Sequence, residues 1–127
     1  MNRSEHDEQV ALAAWAERSK AKYPALRWLF AIPNGACLGD DAKSRAIRMK
    51  YLKAEGLKTG VYDLFLPSPR GGYAGLFVEM KIGGNKPTAD QQEFGRDMRA
   101  EGYAAVVCYS FEQAQQEIKT YLDLKGE

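Results

Sequence analysis

Gly60-Val-Tyr-Asp-Leu-Phe-Leu66 and Gly75-Leu-Phe-Val-Glu-Met-Lys81 are two short apolar runs flanking Pro67-Ser68-Pro69-Arg70-Gly71-Gly72. Runs rich in Val, Leu and Phe on either side of a Pro/Gly turn predict a β-hairpin with a longer loop. Asp63 interrupts the first run, and Glu79 and Lys81 interrupt the second. Side chains alternate across a strand, so Glu79 and Lys81 project from one face together with Phe77. Charges inside such apolar strands are costly unless they are paired or hold a metal. A hairpin that brings Asp63 beside Glu79, with Lys81 one step further on, makes a carboxylate pair with an ammonium next to it. That set suits a divalent cation. A structural salt-bridge cluster at a sheet end is the alternative reading of the same three residues.

The segments around the hairpin extend the pattern. A polar, acidic start, Ser4-Glu-His-Asp-Glu8, precedes an apolar-periodic stretch through Leu12, Trp15 and Ala16. Ser4 with Asp7 three residues later is a capping-box pattern, and a helix is expected from Glu5 to about Ala21. Glu8 falls on the Leu12/Trp15 side of it, an unusual place for an acid. Glu5 is the better match to a first-turn residue favoured by the helix dipole. Beyond Pro24, Leu26-Arg-Trp-Leu-Phe-Ala-Ile32 predicts a buried strand, and Pro33-Asn34-Gly35 a turn. Asp40 or Asp41 caps a second helix reaching about Glu55, with Gly56 as its stop. It is the most basic part of the chain: Lys43, Arg45, Arg48, Lys50, Lys53 and nearby Lys58. These residues interleave with Ile47, Met49, Tyr51 and Leu52, so they fit a solvated helix, and part of the set also fits phosphate contact.

Thr88 and Gln91 form another capping-box pattern at the start of a third helix. Gln91 shares a face with Phe94 and Met98, which points it inward. Capping and an active-site role look like competing uses of one side chain. Gly102 ends this helix, Tyr103–Tyr109 predicts a strand, and Ser110 caps a last helix with Phe111, Ala114, Ile118, Tyr121 and Leu122 on its apolar face. The expected order is α-β-α-β-β-α-β-α, an α/β fold with a mixed sheet: an antiparallel hairpin, then a helical crossover to a parallel strand.

Gly-Val-Tyr-Asp-Leu, Glu-Met-Lys and Lys86-Pro-Thr-Ala-Asp-Gln91 together resemble the VRR-NUC domain, a branch of the PD-(D/E)XK nucleases, over about Glu8–Glu112. The resemblance implies a restriction-endonuclease-like core, a single nuclease domain over 1–127, and a Mg²⁺- or Mn²⁺-dependent DNA endonuclease. It implies Asp63, Glu79, Lys81 and Gln91 as catalytic residues. The metal would be held by Asp63, Glu79, the Met80 carbonyl and a first-helix glutamate, for which Glu8 is preferred and Glu5 held in reserve. It also puts the Pro-Asn-Gly turn near the cleft, so Asn34 is a DNA-contact candidate beside Lys43, Arg45, Arg48 and Lys50, although Asn before Gly is common turn chemistry. Tyr62 departs from the family pattern, standing where a strand-shaping proline is usual. Small stand-alone members resemble resolvases that act as homodimers on four-way (Holliday) DNA junctions. A non-catalytic DNA-binding module that keeps the fold, and a structural adaptor, are the competing readings.

Composition bounds the alternatives. The chain has 127 residues, 45% of them hydrophobic, and a net charge of +1, so nucleic-acid binding would have to come from local patches. Its start is no signal peptide, and no apolar run approaches a membrane span. Cys37, Cys108 and a lone histidine, His6, match no zinc spacing. Two thiols fit a reducing, cytoplasmic setting.

Overall fold

The computed structural model describes residues 4–33 and 41–125. Four helices and a four-stranded mixed sheet follow one another in chain order: α1 (Glu5–Ser19), β1 (Phe30–Ala31), α2 (Ala42–Ala54), β2 (Leu64–Leu66), β3 (Leu76–Met80), α3 (Ala89–Ala100), β4 (Ala104–Cys108) and α4 (Phe111–Leu122). The sheet order is β1-β2-β3-β4. The β2–β3 hairpin is antiparallel, with Phe65 opposite Phe77, and β4 returns parallel to β3 after the α3 crossover. Asn34, Cys37 and Asp40 lie outside the described residues.

The alternation of the strands sorts the two faces. Leu64, Leu66, Leu76, Val78, Met80 and Cys108 point into a core closed by Leu12, Trp15 and Ala16 of α1 and Ala114, Ile118 and Tyr121 of α4. Phe65, Phe77 and Tyr103 occupy the other face, with the Phe65 and Phe77 rings stacked at 4.3 Å and the edge of Phe94 of α3 against Phe77 at 5.0 Å. Glu79 and Lys81 are on this second, aromatic face. The far end of the hairpin is fastened to the end of α4. Tyr121 donates its hydroxyl proton to the Ser68 carbonyl at 2.6 Å, and Gly71 N–H donates to the Lys125 carbonyl at 2.7 Å.

One expected element changes form. The stretch Leu26–Ile32 is not a buried strand: Pro24–Trp28 is a 3-10 turn, and only Phe30–Ala31 pairs with β2, at an exposed edge. Pro24 sits in the first turn of the 3-10 segment, where its fixed φ suits a helical start. Leu26 is buried, with Leu29 and Ile32 half-buried. Within the 3-10 segment burial does not alternate as it would in a strand, since Arg27 and Trp28 after Leu26 are both exposed. The first helix also stops at Ser19, short of Ala21.

Candidate active site

The site is built at the open end of the hairpin. Asp63 immediately precedes β2, and its backbone carbonyl accepts from Ile32 N–H at 2.7 Å. Its carboxylate Oδ2 accepts from Met80 N–H at 2.9 Å, across the hairpin. Glu79 is 2% exposed, so its carboxylate is almost fully withdrawn from solvent. Lys81, also buried, sets its ammonium 3.4 Å from Glu79 Oε2. The strand geometry thus brings Asp63, Glu79 and Lys81 together as the residue pattern predicts.

Gln91 both caps its helix and reaches the site. Its Oε1 accepts from Thr88 N–H at 2.9 Å, completing the capping box of α3. Its Nε2 donates to Glu79 Oε2 at 3.0 Å. An amide has an acceptor end and a donor end, and this side chain lies between a backbone N–H and a carboxylate. The expectation of exclusive roles is therefore corrected: cap and site share one residue.

Glu79 Oε2 has two donors, whereas its buried Oε1 has no hydrogen-bond partner among the described residues. Burial, and then the nearby Asp63 charge, push the Glu79 carboxyl up from 4.5 to about 7, against the opposing pull of Lys81 and, more weakly, of the Asp63 N–H. Burial also raises Asp63. The Met80 N–H and Lys81 lower it, and the Glu5 charge raises it. Two acids that resist ionising together, one with an orphaned buried oxygen, make a donor set that a hard cation fits. Among the described residues, no group of three or more His, Cys, Asp or Glu side chains is gathered tightly enough to enclose an ion. A Mg²⁺-like ion retains several waters, so it needs no such enclosure.

The two glutamates of the first helix stand in different surroundings. Glu8 is buried, as its place on the apolar stripe implies, but its Oε1 accepts from Phe111 N–H at 3.1 Å, at the start of α4. Burial takes its Oε1 to a helix N-terminus, where a carboxylate is favoured. Glu5 instead lines a hollow of about 270 Å³ with Asp63, His6, Gln9, Ile32 and Pro33. His6 and Gln9 are neighbours of the site that the sequence pattern does not single out. Gln9 lies four residues after Glu5, and that i, i+4 spacing is the signal that could have found it.

The basic residues of α2 stand elsewhere. Lys43, Arg45, Arg48 and Lys50 are all exposed, and the helix buries none of its residues. Ile47 and Tyr51 are exposed beside them, lining a separate hollow with Lys50 and Ala54. Among the described residues, the hollow that Glu5 and Asp63 share is lined from α1, the 31–33 stretch and Asp63.

Comparison with known proteins agrees with this architecture. The sequence matches the model of the VRR-NUC domain over residues 3–112. A solved structure described as a VRR_NUC domain protein superposes with a TM-score of 0.82 at 27% identity, covering 99% of this chain and 93% of that one. No curated protein matches the sequence.

Proposed function

Because the chain belongs to the VRR-NUC family of nuclease domains, we propose that it is a divalent-metal-dependent DNA endonuclease, selective for branched substrates such as four-way junctions and active as a homodimer. The observation that carries the reading is the convergence of Asp63, Glu79, Lys81 and Gln91, with Glu79 Oε1 buried and unsatisfied. Asp63, Glu79, the Met80 carbonyl and Glu5 are the groups that would hold Mg²⁺ or Mn²⁺. Glu5 replaces Glu8 here because Glu5 shares the hollow with Asp63. When bound, the ion supplies Lewis-acid polarisation of a phosphoryl oxygen and lowers the pKa of water.

The protein's own groups have distinct tasks. Met80 N–H and Gln91 Nε2 fix the rotamers of Asp63 and Glu79, so the carboxylates are oriented before DNA arrives. Lys81 holds its ammonium at Glu79 Oε2, where it would face the negative charge that develops on phosphate oxygens during attack. The exposed Lys43, Arg45, Arg48 and Lys50 would contact backbone phosphates, which position DNA without reading its sequence. A short chain with little surface for base readout suits recognition of DNA shape. A two-fold dimer would place two sites on a substrate that is itself nearly two-fold.

Labelled linear duplex, flap and four-way junction DNA, incubated with and without Mg²⁺, test the proposal, alongside light scattering at micromolar concentration. The expected result is Mg²⁺-dependent paired nicking, strongest on the junction, by a dimer. Lys81→Ala should stop turnover while calorimetry still detects metal binding. Junction binding without cleavage under every metal condition would leave a non-catalytic DNA-binding module. A monomer that cuts all substrates alike would leave a general nuclease.

A further inference from the structure

Tyr62 is only 1% exposed, yet it stands apart from the main hydrophobic core. Its ring packs 5.3 Å from that of Phe94, on the α3 side of the sheet. Its hydroxyl occupies the space above Gly95, the one buried residue of α3. A Cβ added at Gly95 would overlap that hydroxyl oxygen and would lie 3.1 Å from the ring carbon bearing it. Glycine is a poor residue for a helix interior, so its presence there is explained by the tyrosine it admits.

The fit is reciprocal. Two residues before Tyr62, Gly60 takes a positive φ of 90°, and a Cβ on it would come within 2.6 Å of the Asp90 backbone. Thr59 Oγ1 donates to Asp90 Oδ2 at 3.1 Å in the same place. The 59–62 segment and α3 therefore meet through two close approaches, each made possible by a glycine on the opposite partner. Arg99 extends the contact by donating to the Ala105 carbonyl of β4 at 3.0 Å, and its positive charge acts on the Tyr62 hydroxyl, opposing the rise that burial gives it.

Both ends of this joint lead into the site. Asp63 is the next residue after Tyr62, and Gln91 lies one helical turn before Gly95 on the same face. We propose that Tyr62, seated in the notch left by Gly95, is a positioning residue: it fixes α3 against the Asp63 segment and thereby holds Gln91 Nε2 on Glu79. The inference rests on the site reading above and adds to it a part that works through Gln91. It gives the tyrosine that replaces the usual proline a task of its own.

The test uses Gly95→Ala, Tyr62→Leu and the double variant of the whole chain. The readouts are the ¹H–¹⁵N signal of the Gln91 side-chain amide in metal-free protein, Tm, and cleavage with Mg²⁺. Gly95→Ala and Tyr62→Leu should each move the Gln91 amide signal toward that of a solvated glutamine. Each should also slow kcat by about 10-fold or more, with DNA affinity unchanged, as a displacement of about 1 Å does. Gly95→Ala should lower Tm in the natural background and raise it in the Tyr62→Leu background, where the overlap is gone and alanine is the better helix former. An unchanged Gln91 signal in Tyr62→Leu overturns the positioning role. So does an equal loss of Tm from Gly95→Ala in both backgrounds. Should Gly95→Ala alone fail to fold, Tyr62→Leu and the double variant still decide. Absence of cleavage by the natural protein would remove the nuclease reading, while the amide signal and the Tm reversal would still report on the joint.

Discussion

Helices α2 and α3 are nearly the same length, 13 and 12 residues, and both are polar and capped by a side-chain oxygen, from Asp41 and Thr88. One packs on the sheet beside the candidate site and the other stays exposed. α3 buries Gly95 and half-buries Gln91, Phe94 and Met98 against the sheet. α2 buries nothing fully, half-buries Met49 and Leu52, and leaves Ile47 and Tyr51 in solvent beside its lysines and arginines. Capping decides that a helix forms, since it satisfies the orphan N–H groups of the first turn. It does not decide where the helix goes. Docking needs a surface that fits, and α3 has one in the notch that receives Tyr62. Under the proposed function the difference separates two kinds of work: chemistry beside α3, and contact with a polyanion along α2.

That division can be broken by substitution. Asp63→Asn should lower kcat by about 1,000-fold, a loss of the size expected when a charge-stabilising group is removed, and leave DNA affinity and the fold largely intact. Cleavage near the natural rate would falsify the site assignment. Glu5→Gln should cost at least about 10- to 100-fold in metal-dependent turnover, the loss that even an outer-shell metal partner brings, with little change in Tm. Glu8→Gln should do the opposite, lowering Tm with a smaller effect on turnover, since it weakens a buried contact to Phe111 N–H. The reverse ranking, measured at matched folded fraction, would return the metal-ligand role to Glu8. Replacing Lys43, Arg45, Arg48 and Lys50 together with Gln should weaken DNA binding by about 10-fold or more at moderate salt. It should flatten the salt dependence by about 0.9 for each phosphate that is no longer neutralised. The kcat at saturating DNA should hold; if it collapsed, α2 would belong to the chemistry after all.

The smallest expected effect is a pH dependence centred on Glu79. Glu79 titrates near 7 in the folded chain and near 4.5 when exposed, so between those values the folded form binds the extra proton. Stability from that proton is fully present below about 4.5 and is lost as pH rises through about 7. Tm of metal-free protein should therefore fall by a few degrees over that window. Glu79→Gln should remove most of the slope, leaving the smaller part that comes from the Asp63 carboxyl, also raised by burial, and millimolar Mg²⁺ should flatten it. A slope undiminished in Glu79→Gln would assign it to other groups.

Much of this is legible in the chain. Alternation in the hairpin puts Glu79 and Lys81 on one face, and the cap patterns at Ser4, Asp41, Thr88 and Ser110 start the four helices. Other features are not, for identifiable reasons. Leu26–Ile32 is too short for period two and period three to be told apart by apolar content, and Pro24 tips it to a 3-10 turn. Glu5 has the ordinary explanation of a first-turn residue. At about 100° per residue, however, it lies within about 20° of both Leu12 and Ala16, while Glu8 lies on the Trp15 side of the same stripe. Both acids face inward, and only the packing of α4 shows which of them it takes. The Tyr62–Gly95 fit joins residues far apart in sequence, and neither residue type alone announces the other.

Gln91 binds the start of α3 and the Glu79 carboxylate with the two ends of one amide. Fraying of that first helical turn and release of the carboxylate are therefore a single event. A helix end opens at far less cost than a whole domain. Heat or mild denaturant should thus silence the proposed activity before the chain unfolds, and Thr88→Ala should widen the interval between the two midpoints. Catalytic competence then becomes a local equilibrium, set by one turn of helix.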